Sequence, residues 1–158
     1  MQRPPRRRHQ RLVDWFLLAR VYLFLGLLEA TAAMAAFFFV LHAGGWRYGE
    51  TLPAHAPLYL QATTACLSAI IVIQVMNLWL CRSERDSLWH TGFGGNRLLL
   101  WGIGAELALI LAIVYTPWGN RLFGTAPIAL ETWLFMLPFA AGMLLLEETR
   151  KALRRRRD

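Results

Sequence analysis

Four long apolar runs, set apart by clusters of arginine, organise this chain. Ala30 to Trp46 carries no Asp, Glu, Lys or Arg, and neither does Thr51 to Cys81 until its flank at Arg82. Leu98 to Tyr115 holds only Glu106, and Thr132 to Leu146 is free of charge. A bilayer core of roughly 30 Å needs about 20 apolar residues in a helix. Spans at 21–42, 58–80, 98–115 and 130–147 meet that length, the last two narrowly. Hydrocarbon offers no hydrogen-bond partner to a backbone, so each span is expected to be a helix. The pattern therefore predicts an all-α integral membrane protein of four transmembrane helices. It divides the chain into a basic segment at 1–20, a transmembrane domain at 21–152 and a basic tail at 153–158.

Composition agrees with that reading and removes others. Of 158 residues, 56% are hydrophobic and 17% charged, whereas soluble domains carry about 25% charge. Disordered chains are rich in charge and poor in aromatics, and 13% of this chain is aromatic. The net charge of +7 would suggest nucleic acid in a soluble protein, but its distribution points elsewhere. Six arginines lie at or before Arg20, three between Arg82 and Arg97, and six Lys/Arg at or after Arg150. The connections His42–Pro57 and Thr116–Ala129 have one each, Arg47 and Arg121. By the positive-inside rule both termini and the middle connection are expected in the cytoplasm, an arrangement that an even number of spans permits. No nucleic-acid fold motif accompanies the basic ends, so lipid, not nucleic acid, is the expected partner. Trp15, Tyr22, Trp46, Tyr59, Trp79, Trp101, Tyr115, Trp118 and Trp133 sit near proposed helix ends, where amphipathic rings prefer the interface. The first span is too long for a signal peptide and contains Glu29, so a retained helix is expected. Cys66 and Cys81, in or beside an apolar run, do not form a disulfide framework.

Polar residues within the spans are the candidate chemistry. Glu29 and Glu106 fall inside the first and third spans. A carboxylate there must face other helices or water, or hold a proton. Either it binds an ion or carries protons, or it simply hydrogen-bonds a neighbouring helix. In the second run Thr63, Gln74, Asn77 and Cys81 occupy a narrow arc at 100° per residue. The amide oxygens of Gln74 and Asn77 could replace part of a hard cation's hydration shell, or the stripe could serve interhelical bonding alone. Gly104, Ala108 and Ala112, and Gly26 with Ala30, suggest close-packed faces. Pro138 is expected to kink the fourth helix, with Gly142 allowing close approach. Glu147 and Glu148, followed by Arg150 and Lys151, should continue that helix as a charged stub. No phosphate-binding glycine loop, nucleophile motif or Cys/His metal spacing is present, and His9, His42, His55 and His90 lie in tails or connections.

Several segments together resemble one family. Ala65-Cys-Leu-Ser-Ala-Ile-Ile-Val-Ile-Gln-Val-Met-Asn77, followed by Cys81-Arg-Ser-Glu-Arg-Asp-Ser-Leu88, is similar to the eighth transmembrane helix and next loop of cation-transporting P-type ATPases. Met1-Gln-Arg-Pro-Pro-Arg resembles the loop between the sixth and seventh helices, and Tyr22-Leu-Phe-Leu-Gly-Leu-Leu-Glu-Ala30 the seventh helix. Phe123-Gly-Thr-Ala-Pro-Ile-Ala-Leu-Glu-Thr-Trp133 and Leu146-Glu-Glu-Thr-Arg-Lys151 resemble the approach to, and end of, the tenth. The resemblance runs from about Met1 to Arg155. It implies the seventh to tenth helices of a pump that hydrolyses ATP through an aspartyl phosphate. The DKTG motif that carries that aspartate is absent, and Asp14, Asp86 and Asp158 lack its context.

The expected function is therefore that of the C-terminal membrane domain, or a truncated or split fragment, of a cation pump. Met1 falls where the family has an internal loop. Such a chain would not be an enzyme on its own and would need no cofactor, ATP and Mg belonging to the missing domains. In calcium pumps of the family the eighth helix supplies a glutamate to an ion site. Gln74 stands at the matching position and Asn77 at that of a nearby asparagine, which marks both as candidate cation ligands. The loss of a charge at Gln74 argues against calcium. No ligand role transfers to Glu29 or Glu106. Expected partners are membrane lipid, the remainder of a pump and a cation, in the cell membrane. The alternatives are a stand-alone four-helix interaction or stabilising protein and, third, a small cation transporter or channel lined by Gln74, Asn77, Glu29 and Glu106.

Overall fold

A computed structural model describes residues 15, 20–80 and 96–157, with the side chains of 20, 21 and 154–157 left aside. Every regular element among the described residues is helical. A π-helical turn, Arg20–Leu25, leads into α1, Gly26–Ala43. Next come α2, Pro57–Leu80, and α3, Arg97–Tyr115, followed by a short α4, Pro117–Phe123, and finally α5, Leu130–Arg157. Four helices are long and apolar enough to cross a membrane, at Tyr22–Ala43, Pro57–Leu80, Arg97–Tyr115 and Leu130–Leu153. These agree with the spans read from the sequence to within a residue or two, except that the last runs on past 147. The 24 residues of α2 give about 36 Å at 1.5 Å per residue, enough for the hydrocarbon core with some tilt.

Local sequence sets the helix ends. Pro57 opens α2, where a missing N–H costs nothing. Asn96 caps α3, its side-chain oxygen accepting from the N–H groups of Leu98 and Leu99. Thr116 both closes α3 and opens α4. Its hydroxyl donates to Ala112 O at 2.7 Å and accepts from Gly119 N at 3.0 Å, and Pro117 follows at the first helical position. Gly124 then adopts φ +64°, the left-handed conformation that ends α4 without a Cβ penalty. α5 runs as one continuous helix with Pro138 inside it.

The helices pack unequally. α1 and α2 form the most extensive pair, α5 lies against both, and α3 meets α2 more sparsely. Buried alanines dominate where backbones come closest: Ala32, Ala33 and Ala36 on α1, and Ala62, Ala65 and Ala69 on α2. Lipid tails are as apolar as leucine, so association in a membrane depends on close van der Waals packing, which small residues permit. The faces expected from Gly104, Ala108 and Ala112 are a different matter. All three residues are exposed, and a Cβ on Gly104 would meet nothing within 4 Å. α3 instead turns Ile103, Ile110 and Val114 inward. A Cβ on Gly142 also points into open space, so it makes no close approach among the described residues.

Candidate functional site

The carboxylate of Glu29 and the amide of Gln74 come together between α1 and α2. Gln74 Nε2 donates to Glu29 Oε1 at 3.5 Å, a long contact bridging residues 45 apart in sequence. Glu29 is half-buried and Gln74 exposed, so the pair lies on the outer face of the α1–α2 hairpin. Asn77 follows Gln74 by three residues and shares its helix face, where it is also half-buried. Glu29 lies seven residues, about two turns, from the Tyr22 end of its span, and Gln74 six residues from the Leu80 end of α2.

The remaining members of the predicted set separate from this pair. Glu106 is half-buried on α3 and makes no side-chain hydrogen bond or ion pair among the described residues. The Thr63 hydroxyl donates within its own helix, to Tyr59 O at 3.1 Å and Leu60 O at 3.0 Å, about three turns before Gln74. Cys81 lies outside the described residues.

Oxygen donors on this face are few. Hard cations such as calcium take six to eight oxygens, and no cluster of three His, Cys, Asp or Glu exists among the described residues. Gln74, Asn77 and Glu29 could therefore furnish only part of a coordination shell. The pair offers amide and carboxylate oxygens as acceptors and the amide N–H as donor, with no nucleophile and base set beside it among the described residues.

Two polar assemblies fix α2, which carries Gln74, at both ends. At its beginning, Thr64 Oγ1 donates to Leu60 O at 2.6 Å and accepts from Ala126 N at 3.0 Å. Gln61 Nε2 donates to Pro127 O at 3.1 Å. Tyr115 OH donates to Ile128 O at 2.9 Å and accepts from Trp133 Nε1 at 2.8 Å. The 124–129 segment is thus tied to α2, α3 and α5. At the other end, Lys151 Nζ donates to Leu80 O at 3.0 Å, the last carbonyl of α2. Helix-terminal carbonyls lack an internal partner and carry partial negative charge, which suits an ammonium.

The helix continues through 147–151 as a charged segment, as its spacing led one to expect. The i,i+3 pairs do form, with Arg150 gripping Glu147 at 2.6 and 2.9 Å and Lys151 lying 3.6 Å from Glu148. However, Glu147 and Lys151 are only 0% and 1% exposed. Lys151 is buried against the end of α2, a neighbour that spacing along one helix cannot reveal. Thr64 was also missed, and its only sequence signal was a second threonine beside Thr63 within an apolar helix.

Comparison with known proteins completes the assignment. The family model for the C-terminus of cation transporting ATPases matches residues 1–153. A probable cation-transporting ATPase F of Mycobacterium bovis is 32% identical over 149 residues, covering 94% of this chain but 15% of the relative. The sodium/potassium-transporting ATPase subunit alpha-4 of Rattus norvegicus is 24% identical over 182 residues, with 99% and 18% covered. The corresponding alpha subunit of Drosophila melanogaster is 25% identical over 181 residues, with 99% and 17% covered. The chain therefore spans less than a fifth of the length of these relatives. A multi-pass helical membrane protein matched along nearly its whole length, it belongs to the cation-transporting P-type ATPases and corresponds to their C-terminal membrane domain.

Proposed function

We propose that this chain works as the supporting membrane domain of a cation pump and offers Gln74 and Asn77 to an ion site completed by the pump's other helices. The observation that carries this reading is the Glu29–Gln74 pair on the outside of the hairpin. Leaving ionisable groups against hydrocarbon costs about 2.5–3.5 kcal/mol on insertion scales. A polar pair at that place calls for a covering surface with matching polar groups, and the α1–α2 face provides too few oxygens to hold a hard cation by itself. The relatives' names, each a cation-transporting or sodium/potassium-transporting ATPase, support the same assignment.

On this reading the chain resides in the cell membrane with both termini in the cytoplasm. Its partner is the rest of a P-type ATPase, and it needs no cofactor, because ATP and Mg act on the other domains. The purified chain should neither hydrolyse ATP nor leak cations from proteoliposomes. Co-expression with the phosphorylating portion of a pump, followed by cation-stimulated ATPase measurement, tests the rest. Gln74→Ala should raise the half-saturating cation concentration roughly tenfold, as expected when a charge loses one oxygen donor. Assembly with unaltered cation dependence in both Gln74→Ala and Asn77→Ala would leave the domain supportive only and remove its ion-site role.

A further inference from the structure

A second surface has no part in that site. Where α4 folds back on the end of α3 it leaves an open groove of about 570 Å³, bordered by Leu109, Ile113, Trp118, Leu122 and Phe123, with Arg121 at its edge. Its volume is within the roughly 300–1,000 Å³ of small-molecule sites. Gly119 sets the geometry. A Cβ there would lie 2.6 Å from Ala112 O and from Ile113 Cα and O, so only glycine lets the two helices approach so closely. That contact splays the larger side chains outward, leaving Trp118 84% and Leu122 78% exposed.

Arg121 is exposed and has no hydrogen-bond or ion-pair partner among the described residues. It is also the only Lys or Arg between Leu98 and Thr149, far in sequence from the arginine clusters at the chain's ends and middle. Its guanidinium keeps its charge at any ordinary pH and presents the paired donors that match a phosphate. α4 lies just past the end of a membrane span, at the depth of lipid headgroups, where tryptophan beside Arg121 is favoured. A phospholipid with net negative charge satisfies both halves of the surface: an acyl chain for the apolar wall and, for the cation, a phosphate whose charge no choline in the same headgroup cancels.

We propose that the α3–α4 groove binds an anionic phospholipid, with Arg121 holding the headgroup phosphate and Leu109, Ile113, Leu122 and Phe123 holding the upper acyl chain. A free phosphate would leave that wall unmatched, and an apolar protein segment would leave Arg121 unpaired. The site rests on this chain's own surface and is independent of any ion-site role for Gln74.

Photo-cross-linking of the full 158-residue chain in nanodiscs tests the assignment. Phosphatidylglycerol and phosphatidylcholine probes, each with a diazirine on the acyl chain, are added in trace amounts to phosphatidylcholine nanodiscs. Adducts are mapped by mass spectrometry. Labelling within 109–123 by the phosphatidylglycerol probe should exceed that by phosphatidylcholine by up to roughly fivefold, the ratio that one exposed ion pair gives. Arg121→Gln should erase the preference, Arg121→Lys should keep most of it, and Arg47→Gln, on the other connection, should leave it unchanged. Circular dichroism and thermal unfolding establish that each variant remains folded. Equal labelling by the two probes, a preference that survives Arg121→Gln, or no labelling of the groove by either probe would each overturn the proposal.

Discussion

The α1–α2–α5 group and the α3–α4 arm obey opposite relations between hydrophobicity and burial. α3 is the most apolar of the four spans and the least enclosed, with 17% of its span buried against 39% for α2. In water the greasiest helix would seek the core. In a bilayer a leucine loses nothing by facing lipid, so the interior goes to residues that fit closely or need a polar partner. α2 illustrates this with buried Ala62, Thr64, Ala65, Ser68 and Ala69, whereas α3 leaves Leu98, Trp101 and Leu109 outside. The three-helix group is therefore held by shape and by polar ties at its ends, and α3 is anchored chiefly through Ile110, Val114 and the 124–129 segment.

The strongest challenge to that division is to enlarge a residue at the tightest interface. Ala65 is 0% exposed and belongs to the same buried cluster as Ala36, Val40 and Met136. Ala65→Leu inserts three heavy atoms where no space exists, and overpacking of this kind typically costs about 1–3 kcal/mol. Thermal unfolding in detergent should show a clear fall in midpoint, with α1 and α2 separating first in hydrogen exchange. A midpoint like that of the parent would mean that the α1–α2 pair is looser than its alanine interface implies.

Most of the architecture is legible in the sequence because a bilayer imposes a length and a polarity that single residues declare. Charge-free runs mark the spans, whereas the short helix α4 in the third connection is not read from them. Which face of each helix turns inward is much less legible. Gly104, Ala108 and Ala112 have the spacing of a packing face yet point outward, because burial in lipid depends on the neighbour and not on the helix itself. The site divides in the same way. Gln74 and Asn77 share a face by spacing on one helix, but the meeting of Glu29 with Gln74 is a tertiary event, as is the grip of Lys151 on Leu80.

That grip provides the next sharpening of the comparison. Lys151→Met retains most of the aliphatic stem but removes the donor from Leu80 O and the positive neighbour from Glu148. A buried acceptor left without its partner costs about 1–3 kcal/mol. The effect should be below that of Ala65→Leu, because water can reach the half-buried Glu148. Loss of amide protection should concentrate at the end of α2, near Gln74 and Asn77, leaving α3 unaffected. Equal loss in α3 would show that the two regions are coupled more strongly than their packing indicates.

The smallest effect belongs to the outward face of the arm. Gly104 lies in the middle of α3 with open space where a side chain would go. Substitution by alanine removes backbone freedom from the unfolded chain and improves helix propensity, which together are worth up to about 1 kcal/mol of added stability in a helix interior. In a bilayer the gain should be smaller, since the hydrocarbon already enforces helix in both packed and unpacked states. Gly104→Ala and the bulkier Gly104→Leu should therefore leave the unfolding midpoint of the isolated chain nearly unchanged or slightly raised. A marked destabilisation by leucine but not by alanine would reveal that the small-residue face of α3 is occupied, and the distinction between a packed group and a free arm would then fail at its simplest point.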